Sequence, residues 1–241
     1  MFYIKLAEMN IGITTRLPLT GVIFRNYLTE CEAPDFAVEV SAEDITAERE
    51  KVKQKDNISP SILTDLYVER QMLLRKISEQ APLYGCMQFH GSAVAVDGKA
   101  YLFIAPSGTG KSTHSRLWRQ MLGNRVSMIN DDKPFLRLQK GELWVYGSPW
   151  QGKHNLGQNT CAPLGGICLL SQAYENAIER LPAERALHPI LQQCYQPKSV
   201  DAVVKSLDMV ERLLTQIPIY HLSCNMDVSA AVLSYETLTH L

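Results

Sequence analysis

Residues 105–112 combine small side chains, a lysine and a hydroxyl in the order Ala-Pro-Ser-Gly-Thr-Gly-Lys-Ser. Small residues allow successive backbone N–H groups to point at one phosphate, Lys111 can contact the outer phosphates, and the Ser112 hydroxyl can ligate Mg²⁺. Only Ala105 departs from the pattern G-x-x-x-x-G-K-[ST], and alanine fits there if its φ is negative. The pattern predicts a nucleoside-triphosphate site whose ligands are Ser107, Gly108, Thr109, Gly110, Lys111, Ser112 and Thr113.

The segments that flank this loop distinguish a phosphate site from an ordinary turn rich in glycine and serine. Residues 101–104 are apolar and predict a strand that ends at the loop, and residues 114–122 predict a helix after it. A helix at that place directs the positive end of its dipole at a bound anion. The order strand, loop and helix favours the phosphate site.

Two apolar runs, Ser92–Val96 and Lys99–Ile104, are joined by Asp97 and Gly98. An Asp-Gly pair between apolar runs is a strong indication of a tight hairpin with a type I′ turn. The strand that leads into the loop is therefore expected to pair antiparallel with the strand before it.

The register of this hairpin predicts the position of His90. A two-residue turn places Ser92 opposite Phe103, and further counting places His90 opposite Ala105. A single histidine is usually structural, but this register brings His90 to the mouth of the phosphate loop. We therefore expect it to take part in the site.

Two adjacent carboxylates, Asp131 and Asp132, follow a short apolar run at 125–129 that predicts a buried strand. Metal-assisted phosphoryl transfer needs one anion to hold Mg²⁺ and another to orient or deprotonate the accepting hydroxyl. An Asn-Asp-Asp turn without catalytic function is the alternative interpretation. The preceding strand, loop and helix favour the catalytic one.

The order of these motifs resembles the core shared by HPr kinase/phosphorylase and phosphoenolpyruvate carboxykinase. The chain is most similar to short bacterial HPr-kinase-like proteins, over roughly residues 60–240. The matching motifs are His90-Gly91, Pro106-Ser107-Gly108-Thr109-Gly110-Lys111-Ser112-Thr113, Asn130-Asp131-Asp132-Lys133-Pro134, Ser148-Pro149-Trp150 and Gly152-Lys153-His154.

This resemblance implies an α/β fold, in which a twisted mixed sheet with flanking helices carries the phosphate loop. It also implies roles for three residues. Asp131 matches a carboxykinase metal ligand, so Asp131 and Ser112 are the expected Mg²⁺ ligands. Asp132 matches the acid/base of HPr kinases, and His90 matches a metal-ligand or active-site histidine.

The chain also departs from both families. It is far shorter than the carboxykinases, and it has Thr113 where HPr kinase/phosphorylase has Glu. The Glu-x-Arg-Gly-x-Gly segment linked with phosphorolysis is missing, and residues 148–154 stand in its place. In that stretch Lys153 can stabilise charge on the transferred phosphoryl group. An alternative of equal weight is that Lys153 is simply solvated and has no role in the site.

Composition restricts the partners. The chain has 241 residues, 46% hydrophobic and 20% charged, which is typical of a soluble globular protein. Its formal net charge is −1 and its basic residues are scattered, so nucleic acid is not an expected partner. We find no apolar run long enough to span a membrane, no export signal and no C-x-x-C pair, so a cytoplasmic protein without zinc is predicted.

Hydrophobic patterns divide the chain into a small β-rich N-terminal lobe, residues 1–58, and a catalytic domain, residues 59–241. Strands are predicted at Phe2–Leu6, 11–15, 21–24 and 36–40 in the lobe, and the charged run at 47–59 predicts a helix end or loop. The expected elements of the larger domain are a helix at 61–79, a hairpin of 135–138 and 143–146, a buried strand at 164–170 with 177–181 beside it, and a helix at 200–214.

The leading hypothesis is an ATP- and Mg²⁺-dependent kinase that phosphorylates a hydroxyl. The expected acceptor is a serine of a small protein or peptide, and a small-molecule alcohol is the second choice. A nucleotide-responsive module that binds a peptide or partner is the alternative, and a shortened carboxykinase is the weakest hypothesis. Adenine preference follows from the family alone. A homo-oligomer is compatible with the resemblance, because subunit contacts help HPr kinases bind their protein substrate.

Overall fold

The computed structural model describes residues 1–53 and 64–239. A large mixed sheet forms the centre of the chain, and a small three-stranded sheet lies at the N-terminal end. No helix in the described part of the chain is long and apolar enough to cross a bilayer. The architecture is mixed α/β, with helices that flank a mixed sheet.

The central sheet contains nine strands in the order β4-β8-β9-β10-β6-β5-β7, with β12 paired to β10 and β11 paired to β12. These strands are β4 (Cys86–Gln88), β5 (Ser92–Val96), β6 (Lys99–Ile104), β7 (Val126–Asn130), β8 (Phe135–Gln139), β9 (Glu142–Tyr146), β10 (Cys161–Gln172), β11 (Ala177–Arg180) and β12 (Ile219–Cys224). The hairpin predicted at 135–146 is present as β8 and β9. Strand β11 is not next to β10 as predicted, because the later strand β12 pairs with β10 and separates them.

The predicted hairpin of β5 and β6 is confirmed, including its register. Ser92 pairs with Phe103 and Val96 pairs with Lys99. Asp97 has φ of 49° and Gly98 has φ of 82°, and two consecutive positive φ values are what a type I′ turn requires. The loop after β6 is therefore anchored by an antiparallel neighbour.

Strand directions bring several loops to one edge of the sheet. β10 is parallel to both β6 and β12. β7 is antiparallel to β5, which is antiparallel to β6, so β7 and β6 run the same way. The chain therefore leaves β6, β7, β10 and β12 at the same edge, and the residues that follow these four strands can share a site.

Helices cover both faces of the central sheet. The α-helices within residues 1–53 and 64–239 are α1 (Pro18–Ile23), α2 (Ala42–Lys53), α3 (Asp65–Gln80), α4 (Lys111–Leu122), α5 (Ala183–Gln193), α6 (Val200–Gln216) and α7 (Val228–Thr239). On one face, Trp118 of α4 packs with Phe103 of β6 and with residues of α7 in one hydrophobic cluster. On the other face, α5 and α6 contribute Ile190 and Leu213 to a second cluster.

The small sheet consists of β1 (Phe2–Leu6), β2 (Met9–Thr14) and β3 (Phe36–Glu39). Its buried residues form one hydrophobic cluster with residues of α3, β8 and β9, including Leu73, Phe135 and Tyr146, and with Trp150, which follows β9. The small sheet therefore packs directly against the larger part of the chain. The predicted boundary between residues 58 and 59 lies outside the described residues and stays a prediction.

The strand predicted at 21–24 is wrong, because these residues belong to helix α1 and its C-terminal end. A four-residue apolar run does not by itself distinguish a strand from a helix. Here Pro18 occupies the first turn, and the carboxylate of Glu69 accepts the backbone N–H groups of Arg16 and Leu17. Those interactions stabilise the start of a helix.

The charged run at 47–59 was predicted as a helix end or loop. Its described part belongs to helix α2, and the rest lies outside the described residues. The Ser41 hydroxyl accepts the N–H of Asp44, and the Asp44 carboxylate accepts the N–H of Ser41. This reciprocal pair is a capping arrangement that favours a helix from Ala42 onward.

Candidate active site

Two glycines of the 105–112 loop have backbone conformations that would allow the main chain to approach an anion closely. Gly108 has φ of 80° and Gly110 has φ of 123°, values that side chains other than glycine rarely allow. Ala105 is not among the residues with positive φ, so alanine is compatible with that position. Helix α4 begins at Lys111, three residues earlier than predicted, and its N-terminal end faces the loop.

Lys111 lies across the loop that it follows. Its Nζ donates to the carbonyl oxygens of Ala105 at 2.8 Å and Pro106 at 3.4 Å. Burial lowers the pKa of Lys111, the positive charge of Lys133 lowers it further, and Asp132 acts in the opposite direction. An anion beside this buried side chain would offset the cost of burying its charge.

Asn130 organises the turn that carries the two carboxylates. Its side-chain oxygen accepts the N–H groups of Asp132 at 2.8 Å and Lys133 at 2.7 Å. Its side-chain nitrogen donates to the Ser148 hydroxyl and carbonyl oxygens, both at 3.1 Å, and to the Trp150 carbonyl at 3.3 Å. Because Asn130 is fully buried, it fixes the end of β7 against the 148–150 segment.

Asp131 is buried and approaches the backbone of Gly152. Its Oδ1 accepts the Gly152 N–H at 2.8 Å. A Cβ atom at position 152 would lie 2.9 Å from Oδ2 of Asp131, so a larger residue would displace the carboxylate. This contact fixes the position of the Asp131 carboxylate relative to the 148–152 segment.

Asp132 forms a cluster with His90 and Lys133. His90 Nδ1 lies 3.0 Å from Oδ1 of Asp132 and 2.7 Å from Nζ of Lys133, and that Nζ lies 3.1 Å from the same carboxylate oxygen. In one tautomer Nδ1 donates to Asp132, and in the other it accepts from Lys133. The three side chains therefore form a small network through which a proton can be shared.

The cluster controls the ionisation of Asp132. Burial by itself would raise the pKa of this carboxyl, but the hydrogen bond from His90 and the positive charges of Lys133 and His90 outweigh that effect. The pKa of Asp132 therefore lies below its ordinary value. Asp132 is an ionised hydrogen-bond acceptor at neutral pH.

A cavity of about 890 Å³, the catalytic cavity, brings most of the predicted residues together. Its lining includes His90, Ser107, Gly108, Gly110, Lys111, Ser112, Thr113, Asp131, Asp132 and Lys153. Thr109 does not line this cavity, and its carbonyl accepts a hydrogen bond from Gln172 at 3.2 Å. Nine of the ten predicted nucleotide, metal and acid/base residues thus surround one space, as does Lys153.

The predicted pairing of His90 with Ala105 is wrong, although His90 does reach the cavity. The ladder of β5 and β6 ends at Ser92 and Phe103. Beyond it the N–H of Gly91 donates to the carbonyl of Asp132, and the N–H of His90 donates to the carbonyl of Gln193. These two bonds direct His90 toward Asp132 instead of toward the loop.

Sequence reasoning missed several residues of the site. Arg116 and Arg119 line the catalytic cavity from α4, one and two turns after Ser112, so helical spacing from the loop would have found them. Lys133 and Asn130 belong to the motif Asn130-Asp131-Asp132-Lys133-Pro134, but the sequence analysis assigns them no role of their own. Their positions next to the two carboxylates were the available indication.

Lys153 lies in an exposed turn in which the N–H of Asn155 donates to the carbonyl of Gly152. It lines the outer part of the catalytic cavity together with His154. This location is compatible with contact to a bound ligand. Its predicted role in charge stabilisation stays a prediction.

The residues present fit a nucleotide phosphate and Mg²⁺. The glycine conformations and the end of α4 provide N–H donors, and Lys111, Arg116 and Arg119 provide positive charge around them. Ser112 and Asp131 offer the oxygen ligands that Mg²⁺ prefers. The described residues contain no group of three or more His, Cys, Asp or Glu side chains that would hold a metal unaided.

Comparisons with known proteins show a likeness to solved structures. No protein-family model matches the chain, and no curated protein is similar to it at a significant level. Among solved structures, the chain is similar to the Hpr(Ser) kinase/phosphatase from Coxiella burnetii, with 13% sequence identity and a TM-score of 0.30. The alignment covers 52% of this chain and 96% of that chain. A likeness at this TM-score carries no argument about activity, so the proposals below rest on this chain's own residues.

Proposed function

We propose that this protein is an ATP- and Mg²⁺-dependent kinase that transfers the terminal phosphoryl group to a hydroxyl. The observation that carries the proposal is the convergence of the 105–112 loop, Asp131 and Asp132 on one cavity. A phosphate-binding loop, a metal ligand and a base at one space are the parts that phosphoryl transfer requires. The loop follows β6 and the two carboxylates follow β7, and these two strands end at the same edge of the sheet.

Charge around the catalytic cavity supports an anionic ligand. Among the described residues that line it, Lys111, Arg116, Arg119 and Lys153 are cationic, whereas only Asp131 and Asp132 are acidic. Triphosphate is strongly anionic, and Mg²⁺ held by Ser112 and Asp131 would offset part of its charge. The cations from the loop and α4 then position the phosphates.

Asp132 is the proposed base for the acceptor. Its carboxylate is ionised, and its Oδ1 is already held by His90 and Lys133, so its orientation is fixed before the acceptor arrives. His90 and Lys133 are positioning residues that hold Asp132 in that orientation. We propose a serine of a small protein or peptide as the acceptor, and a small-molecule alcohol as the lesser choice.

The test is phosphoryl transfer from γ-labelled ATP with Mg²⁺ to the proteins and small molecules of a fractionated extract of the source cell. The expected result is one labelled species whose label resists acid and is released by base, as a phosphorylated serine is. Lys111→Ala and Asp132→Asn provide the matched controls, and neither should produce that species. Labelled inorganic phosphate with no labelled acceptor would contradict transfer and support the nucleotide-responsive binding module.

A further inference from the structure

We propose that a second copy of this chain packs against helix α6, antiparallel to it and related to it by a two-fold axis. The proposal concerns the outer face of this helix and does not depend on the proposed function. The inner face of α6 is buried, and its Val210 and Leu213 belong to the hydrophobic cluster beneath the helix. The outer face is exposed, and two rows of side chains with helical spacing run along it.

The first row, called the apolar row, places hydrophobic side chains in solvent. It consists of Val200, Val204 and Leu207, which are 77%, 51% and 51% exposed. Spacings of four and three residues align these side chains along one line of α6. A helix that covers a core normally presents polar residues on its opposite face. This line of exposed apolar side chains therefore indicates a contact that the single chain does not make.

The second row, called the charged row, lies beside the apolar row. It is negative at Asp201 and Asp208 and positive at Lys205 and Arg212, and all four residues are exposed. Within residues 1–53 and 64–239, no ion pair includes any of these four side chains. The last three line a surface cavity of about 680 Å³ beside α6, so their charges are accessible to a partner.

The charged row is complementary to itself when two copies of α6 run in opposite directions. With Lys205 of one copy opposite Asp208 of the other, Asp201 comes opposite Arg212. A two-fold axis produces each of these contacts twice. A parallel two-fold pair would instead bring the charged row of one copy against the apolar row of the other, and its charges would lose water without gaining a partner. The charges therefore favour the antiparallel arrangement.

The apolar row fits the same arrangement. In an antiparallel two-fold pair each row faces its own counterpart, so Val204 of one copy comes opposite Leu207 of the other. The midpoint of these two residues and the midpoint of Lys205 and Asp208 differ by one residue, a rise of about 1.5 Å along the helix. One axis therefore serves both rows. A surface that matches itself twice in this way fits a second copy of the chain, because an unrelated partner requires no such symmetry.

Sedimentation velocity of the full chain, from about 1 µM to about 200 µM, tests the proposal. We expect the wild-type chain to dimerise within this range, as small interfaces do. Lys205→Asp and Asp208→Lys should each weaken dimerisation by at least about tenfold, because either change opposes like charges twice across the axis. An equimolar mixture of the two variants should restore the dimer, since each variant presents the charge that the other lacks.

Glu32→Lys is the matched control, because Glu32 is an exposed acidic residue before β3, and its reversal should leave dimerisation unchanged. Leu207→Ser should weaken the dimer without altering the charged row. A wild-type chain that stays monomeric at the highest concentration would overturn the proposal. Dimerisation that both charge variants retain would also overturn it, as would a mixture that dissociates as readily as each variant alone.

Discussion

Helix α4 presents two contrasting surfaces, one toward the catalytic cavity and one toward the protein interior. The cavity surface carries Ser112, Arg116 and Arg119, which line an open space. The interior surface carries His114 and Trp118, which are buried. Both surfaces contain polar groups, but the interior groups are satisfied within the protein, whereas those of the cavity can contact a ligand.

The two histidines beside these surfaces show the difference most clearly. His90 is half-buried and contacts two charged side chains, Asp132 and Lys133. His114 contacts the Ser234 hydroxyl at 2.9 Å, and the same hydroxyl accepts from Nε1 of Trp118 at 2.9 Å. Because no charge is adjacent to compensate it, burial keeps His114 neutral.

Polar side chains near the loop therefore fall into two groups: some line the cavity, where a ligand can contact them, and others form hydrogen bonds inside the protein. Changes on the cavity side should alter chemistry with little effect on folding, since those groups are not needed to satisfy the interior. Changes in the interior should alter the free energy of unfolding instead. The next three predictions test that separation.

Asp132→Asn should have the largest effect. Loss of the base should reduce kcat by about a thousandfold, within the range typical of general-base removal, while the melting temperature stays nearly unchanged. Steady-state transfer assays and thermal unfolding measure both quantities. Asp97→Asn, a change in the exposed β5–β6 turn, is the control and should retain full activity. A large fall in melting temperature for Asp132→Asn would contradict the prediction that the cavity groups of the protein contribute little to its stability.

Protonation of His114 should have the next largest effect, on stability. The folded pKa is about 4 and the unfolded value is about 6.5, so between these pH values the unfolded chain binds more protons. The contribution of neutral His114 to the free energy of unfolding is therefore present above pH 6.5. About 3 kcal/mol of it is lost as the pH falls to 4. Urea unfolding across this range should show a smaller loss in His114→Gln. If the free energy of unfolding changed equally with pH in the wild type and in His114→Gln, His114 would not be the buried neutral group that this prediction requires.

Lys133→Met should have the smallest effect of the three. The positive charge of Lys133 helps to lower the pKa of Asp132, so its removal raises that pKa. The acid limb of the kcat/KM profile should then move to higher pH. Lys140→Met, at the exposed β8–β9 turn, is the matched control. An unshifted acid limb would mean that Lys133 does not influence the base.

Local signals explain why much of the fold could be predicted. Asp97-Gly98 specifies a turn and therefore a register, and the apolar runs that became β7, β8 and β9 are bounded by polar turns. The start of α1 depends on Glu69, which lies far away in sequence, so the strand predicted there was wrong. His90 follows the same rule, since bonds to Gln193 and Asp132 decide where it points.

The candidate site divides in the same way. That the loop residues and the two carboxylates line one cavity could be predicted, because motifs typical of phosphate and metal binding restrict residue types at short spacing. Arg116 and Arg119 follow from helical periodicity once α4 is known. The network of Asn130 and Lys133 was not predictable, because hydrogen bonds between side chains depend on how β7 meets the 148–150 segment.

ATP affinity in two variants tests the central claim most directly. In the proposed mechanism Lys111 binds phosphate and Asp132 acts as the base, and both line one cavity. Titration with Mg·ATP should show an affinity at least about tenfold weaker in Lys111→Ala and within about twofold of wild type in Asp132→Asn. An equal loss of affinity in the two variants would contradict the account.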